Sequence, residues 1–299
     1  MMIKASVALW RCDMNWAAQE FQDLDLGDAR RTRRLIKLAD DLSAQPTGSI
    51  PLACEGWAET KAAYRLLDNP GTDWREILEV YTRRTVARMQ GQEVVLCIQE
   101  TTELDFTSQP GIIGLGRLSN DAQHGRYAHP TLAVTPEGLA LGVLDAWMWA
   151  RVPKGQPAIK ESTRWVEGYT IVADLAETVP DSRLIYMTDR EGDLRALMDT
   201  AARRGCPADW LGRSRHNRNT DGGEKLWDRV VGGEAQGEVE FILPAAPDRP
   251  ARRVRQTLYR ERIILPVRKG DPVVTVTAIL AREEHPPPRS GRRPLNGDC

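Results

Sequence analysis

Several features that assign a chain quickly are missing from this one. The formal net charge is −1, so there is no bulk electrostatic pull toward nucleic acid, and any DNA affinity must come from local clusters of Arg and Lys. The five cysteines (Cys12, Cys54, Cys97, Cys206 and Cys299) are scattered, odd in number and form no Cys-x-x-Cys pair. That argues against a zinc site and against a disulfide framework, and leaves reduced thiols. No run approaches the roughly 20 apolar residues that span a bilayer, and the N-terminus has neither the apolar stretch nor the cleavage site of a secretory signal. A soluble, cytoplasmic protein without membrane partners is the expectation. His124, His129 and His216 have no second histidine at ligand spacing, and Gly111 to Gly116 is not followed by the Gly-Lys-Ser/Thr of a phosphate loop. No internal repeat is present.

What is there reads in order. The 299 residues allow one large domain and a smaller one. From Met14 to Pro70 the pattern is helical: Leu35, Leu38, Ala39 and Leu42 recur at helical spacing behind Asp28, a residue suited to an N-cap. A helix over Trp57 to Leu67 closes at Asp68-Asn69-Pro70-Gly71, and another covers Trp74 to Met89. Beyond Gly91 the texture changes. Val94 to Ile98 is a short apolar run of the kind a strand buried on both faces requires. Strands around Tyr127–Thr135 and Leu139–Trp149 flank the turn Pro136-Glu137-Gly138. A helix over Ser162 to Glu177 leads to a second buried strand, Leu184 to Met187, and a helix from Gly192 to Arg203. From Leu226 to Ile279 the chain reads mostly as β-hairpins. The predicted organisation is an N-terminal helical domain over 1–90, an α/β core over 91–225, a β-rich subdomain over 226–285 and an irregular tail over 286–299.

Two acidic residues end the two buried strands: Glu100 after Gln99, and Asp189 after Thr188. Strand C-terminal edges are where open α/β sheets present functional groups. If the strands are neighbours, the carboxylates converge and repel unless a cation lies between them, and an oxygen-ligated Mg²⁺ suits that position. Two such ions would activate an attacking oxygen and stabilise a leaving one in phosphodiester cleavage. On spacing alone, polar residues ending strands are commonplace. Arg30, Arg31 and Arg34 likewise read, beside Asp28, Asp40 and Asp41, as a solvated face with paired charges. Arg249, Arg252, Arg253 and Arg255 form a second cluster, open to either a solvated loop or a DNA contact. Trp147 and Trp149 read as packing residues.

The surrounding words change this reading. Gln99-Glu100-Thr101-Thr102, Thr188-Asp189-Arg190-Glu191-Gly192-Asp193, Leu26-Gly27-Asp28-Ala29-Arg30-Arg31-Thr32-Arg33-Arg34-Leu35, and Ala63-Tyr64-Arg65 before Asn69-Pro70 occur in one order. Together they resemble the bacterial cut-and-paste DDE transposases of the insertion-sequence-four, transposon-five type, from about Trp16 to Pro288. The resemblance implies an RNase H-like mixed-sheet core, a helical N-terminal DNA-binding domain and an inserted β-rich subdomain. It places the first two catalytic, Mg²⁺-binding carboxylates at Glu100 and Asp189. It implies contacts to transposon-end double-stranded DNA from Arg30, Arg31 and Arg34, and from Arg213 and Arg215 in the Arg-Ser-Arg-His segment. It also implies a homodimer, and a bacterial protein associated with the nucleoid when bound to DNA.

Two departures qualify the implied activity. Glu100 stands where the family has aspartate; an extra methylene moves the carboxylate by roughly 1 Å, and misplacement of that size costs on the order of 100-fold in rate. The family's third carboxylate word, Tyr-x-x-Arg-x-x-x-Glu, is absent, and Arg289 to Cys299 matches nothing in the family, as a frameshift near Pro288 would produce. A core incomplete at its C-terminus, without the dimerisation region, is therefore expected, with little or no catalysis. A non-catalytic DNA-binding regulator or inhibitor of transposition, an RNase H-like nuclease and a poorly folding remnant stand as alternatives.

Overall fold

The computed structural model describes residues 15–109, 111–153, 155–247, 250–267 and 270–284, and the backbone of 297–298. Cys12, Arg249, Cys299 and residues 286–296 of the tail lie outside the described residues. The chain divides into two compact units, Met1–Arg88 and Met89–Cys299.

The first unit is helical. Its elements are α1 (Trp16–Glu20), α2 (Ala29–Ala44), α3 (Ile50–Ala53), α4 (Trp57–Leu67) and α5 (Trp74–Met89). Asp28 caps α2 by accepting the Arg30 backbone N–H at 2.7 Å. The apolar stripe of α2, Leu35 and Leu38, meets Ala63 and Leu66 of α4 and Val80 of α5, with Phe21, Leu24 and Leu26 closing the cluster.

The second unit opens with β1 (Val94–Gln99), β2 (Thr102–Asp105), β3 (Gly116–Arg117), β4 (His124–Val134) and β5 (Ala140–Trp149). It continues through α6 (Thr163–Thr178), β6 (Arg183–Thr188), α7 (Arg195–Arg203) and β7 (Asp209–Gly212). These strands form one sheet. β5, β4 and β1 are successive antiparallel neighbours; β6 lies parallel beside β1, and β7 parallel beside β6. This is a mixed α/β architecture built on a mixed sheet. β2 continues β1 along the same edge of β4, in the same register.

One face of the sheet is sealed by α6. Val95, Cys97, Tyr127, Ala133, Leu184 and Tyr186 are buried there with Trp165, Tyr169, Val172 and Ala173. A polar network is sealed in with them: Gln99 Nε2 donates to Thr131 Oγ1 at 2.9 Å, and the Tyr186 hydroxyl is shared between Gln99 Oε1 and the Trp165 carbonyl, the latter at 2.8 Å. Gly168 is obligatory above this network, because a Cβ there would overlap the Gln99 amide. Trp149 stacks on Tyr127, with centroids 5.2 Å apart, and the Arg164 guanidinium carbon sits 4.0 Å from the centroid of the Trp149 ring.

The helix expected from Gly192 starts later. Asp189 instead caps a short 3₁₀ turn, Arg190–Gly192, and extended Leu194 separates that turn from α7. The stretch read as hairpins from Leu226 opens with a helix, α8 (Leu226–Val231), whose Leu226 and Val230 are buried one turn apart. Strands follow as β8 (Ala235–Leu243), β9 (Arg252–Leu265), β10 (Val274–Glu283) and β11 (Gly297–Asp298), in the order β11-β10-β9-β8. The tail read as irregular therefore contributes a two-residue antiparallel pairing with Leu280 and Ala281.

Candidate functional site

The parallel register of β1 and β6 builds the site. Val94 pairs with Arg183 and the offset stays constant to Ile98 and Met187; two residues on, it sets Glu100 beside Asp189. Glu100 and Asp189 follow directly on the ends of β1 and β6, two residues past the paired Ile98 and Met187. The pairing of β6 with β7 continues the row: Thr188 pairs with Gly212, which sets Arg213 beside Asp189.

The carboxylates feel one another. The Glu100 carboxyl lies above its ordinary value, first through partial burial and then through the like charges of Asp189 and Glu191; the Thr101 N–H, donated to Glu100 Oε1 at 3.1 Å, works in the opposite sense. Glu100 is nonetheless exposed as a residue. Two neighbouring carboxylates fit a hard, oxygen-ligated divalent cation in donor type and charge. Among the described residues, no group of three or more His, Cys, Asp or Glu side chains is disposed to hold a metal. Asp105 is turned to other work, accepting from the Thr107 hydroxyl at 2.5 Å and from Gln123 at 2.7 Å.

The segment after β7 is anchored by Asp193, which the sequence singled out only as part of a word. The buried Asp193 carboxylate accepts the backbone N–H groups of Arg215 and His216 at 2.7 and 2.9 Å and the Arg218 guanidinium at 2.5 Å. Arg213 and Arg215 themselves are exposed.

In the helical unit the three arginines are in different situations. Arg30 is 85% exposed and lies 3.5 Å from Asp28. Arg31 Nη1 donates to the Leu26 carbonyl at 2.6 Å and the Gly71 carbonyl at 2.9 Å; Gly71 has no room for a Cβ beneath that guanidinium. Arg34 pairs with Glu59. In the β-rich sheet Arg252 pairs with Glu283, Arg253 with Glu240, and Arg255 with Glu238 and Glu240. Glu283 is buried, whereas Glu238 and Glu240 leave the pairs of Arg253 and Arg255 at the surface. No helix among the described residues is long and apolar enough to cross a membrane.

Residues 13–71 match the transposase DNA-binding family. Over that stretch the chain is similar to transposases. It is also similar to a solved structure, the cryo-EM structure of the piggyBac transposase synaptic complex with hairpin DNA. The two share 10% identity and a TM-score of 0.35 over 84% of this chain, which spans 48%, about half, of that one.

Proposed function

We propose that this chain is a DNA-binding transposase-type protein of the insertion-sequence-four, transposon-five kind, which docks on transposon-end DNA and cleaves it little or not at all. The observation that carries the DNA-binding reading is the match of residues 13–71 to the transposase DNA-binding family. Within that stretch, Arg30 is the described arginine of the cluster with its side chain most open to a phosphate, at 85% exposure. Arg34 would exchange Glu59 for phosphate, and Arg31 holds the fold on which both stand. At the core, exposed Arg213 and Arg215 supply positive charge beside Asp189, along the path a backbone would take past the carboxylates.

Glu100 and Asp189 would hold a divalent cation, Mg²⁺ in the family. When bound, it supplies Lewis-acid polarisation of a phosphate oxygen and a more acidic water. The two side chains provide the negative charge and the orientation; Glu191 adds charge on the Glu100 side. Glu100, a methylene longer than the family's aspartate, would present its carboxylate displaced from the placement a two-metal reaction needs. Occupancy of element ends without cutting would make the chain a competitor of an intact transposase, and this favours the regulator reading over the nuclease reading.

The test is gel retardation of a transposon-end duplex between roughly 50 and 200 mM salt, where each lost phosphate contact lowers the salt slope by about 1. Binding should persist in Asp189→Ala and fall, with a flatter slope, in Arg30→Ala. Salt-independent retardation, or none, would contradict the reading.

A further inference from the structure

The ladder between β4 and the β1–β2 edge is broken at one place. Gln99 pairs with Thr131 and Thr102 with Ala128 in one continuous register, which leaves Glu100 opposite Pro130 and Thr101 opposite His129. The hydrogen-bonding phase follows from the strand end, where the Phe106 N–H donates to the His124 carbonyl at 2.9 Å. Pairs alternate between bonded and non-bonded along an antiparallel ladder, so Glu100–Pro130 falls on a bonded position. Pro130 has no N–H, and the Glu100 carbonyl loses its ladder donor there.

His129 stands at that gap. Its Nδ1 lies 2.8 Å from Thr101 Oγ1, and the Glu100 carbonyl also faces the ring. The ring is 1% exposed and held edge-on against Trp165 and Trp149, with centroids 4.6 and 6.0 Å away. An imidazole held between two aromatic rings is a rigid post, and its polar contacts among the described residues are made to the peptide segment that presents Glu100; Nε2 makes none.

We propose that His129, acting through Thr101, is a positioning residue that holds the Glu100–Thr101 segment where Pro130 interrupts the ladder, and so sets the placement of Glu100 against Asp189 and the affinity for a divalent cation. The inference rests on the reading of Glu100 and Asp189 as cation ligands. Partners that orient a ligand of this kind change metal affinity by about 10- to 100-fold when removed.

The experiment is a Mn²⁺ titration of the full chain, read by the electron paramagnetic resonance signal of free Mn²⁺, with a thermal melt of each variant alongside. Thr101→Val is isosteric and removes only the hydroxyl; it should weaken Mn²⁺ binding by about 10-fold in a chain that still melts cooperatively. His129→Phe, which keeps a ring between the tryptophans, should do the same, and His129→Asn, with a polar atom near the Nδ1 position, should recover much of the loss. Adding Pro130→Ala to Thr101→Val should also recover affinity, because an N–H returns opposite the Glu100 carbonyl. A folded Thr101→Val chain that binds Mn²⁺ like the unaltered one would overturn the proposal. Asp189→Ala separates the two ideas: if it leaves Mn²⁺ binding intact, the cation-site reading itself fails.

Discussion

Asp193 holds Arg218 as a nearly buried ion pair, 2.5 Å from Oδ1 to Nη2, with the Asp193 side chain 5% exposed. The other carboxylate oxygen gathers the N–H groups of Arg215 and His216, so one side chain shapes the whole segment after β7. Replacing one member of a buried pair leaves the other uncompensated.

Asp193→Ala should therefore lower stability by about 3 kcal/mol, read from a denaturant midpoint at unchanged slope. DNA affinity should fall with it at temperatures where the chain is still folded, because Arg213 and Arg215 lose their placement. Arg218→Ala should follow in the same direction. An Asp193→Ala chain with unaltered stability would mean that the segment is held by something else.

The helical unit separates a structural arginine from a binding one. Arg31→Ala removes two charge-assisted bonds, to Leu26 and Gly71, and should cost about 2 kcal/mol. Arg30→Ala should leave the melt where it is and act on the salt dependence of DNA binding. The reverse pattern, a stable Arg31→Ala and an unfolded Arg30→Ala, would contradict the assignment.

Burial lowers the His129 pKa from 6.5 to about 4, with the Arg164 charge adding to it. Between those values the unfolded chain binds a proton that the folded chain does not, so stability rises with pH across the window and is lost as pH falls from 6.5 toward 4. For a ring so fully buried, the difference amounts to about 3 kcal/mol. Glu100, raised above its ordinary value, acts in the opposite sense just above 4.5, so the comparison belongs in a Glu100→Gln background with chelator present. Denaturant midpoints at pH 6.5 and 4.5 should differ less once His129→Phe is added. An identical pH profile with and without His129 would refute this.

Much of this architecture was legible before the structure, for reasons that differ by element. β1 and β6 are short and apolar on both faces, as central strands must be, and α4 and α5 keep a helical period over several turns. Leu226–Val231 defeated the reading: six residues are too few for a period, and Val230-Val231 carries strand propensity. The 3₁₀ turn after Asp189 depends on a side-chain cap that spacing does not reveal. For the site, the strand-end positions of Glu100 and Asp189 could be read off, because they follow directly from where apolar runs stop. The His129–Thr101 contact, the gap at Pro130 and the Asp193 anchor could not. Each depends on cross-strand or loop register between residues 22 to 30 positions apart, which no local pattern encodes.

The account is tested most directly by incubating the purified chain with a transposon-end duplex in Mg²⁺ and in Mn²⁺, and measuring retained and cleaved DNA in the same samples. The prediction is retardation without cleavage. Efficient cleavage by the unaltered chain that Asp189→Ala abolishes would contradict it, and would mean that another residue of this chain completes the site.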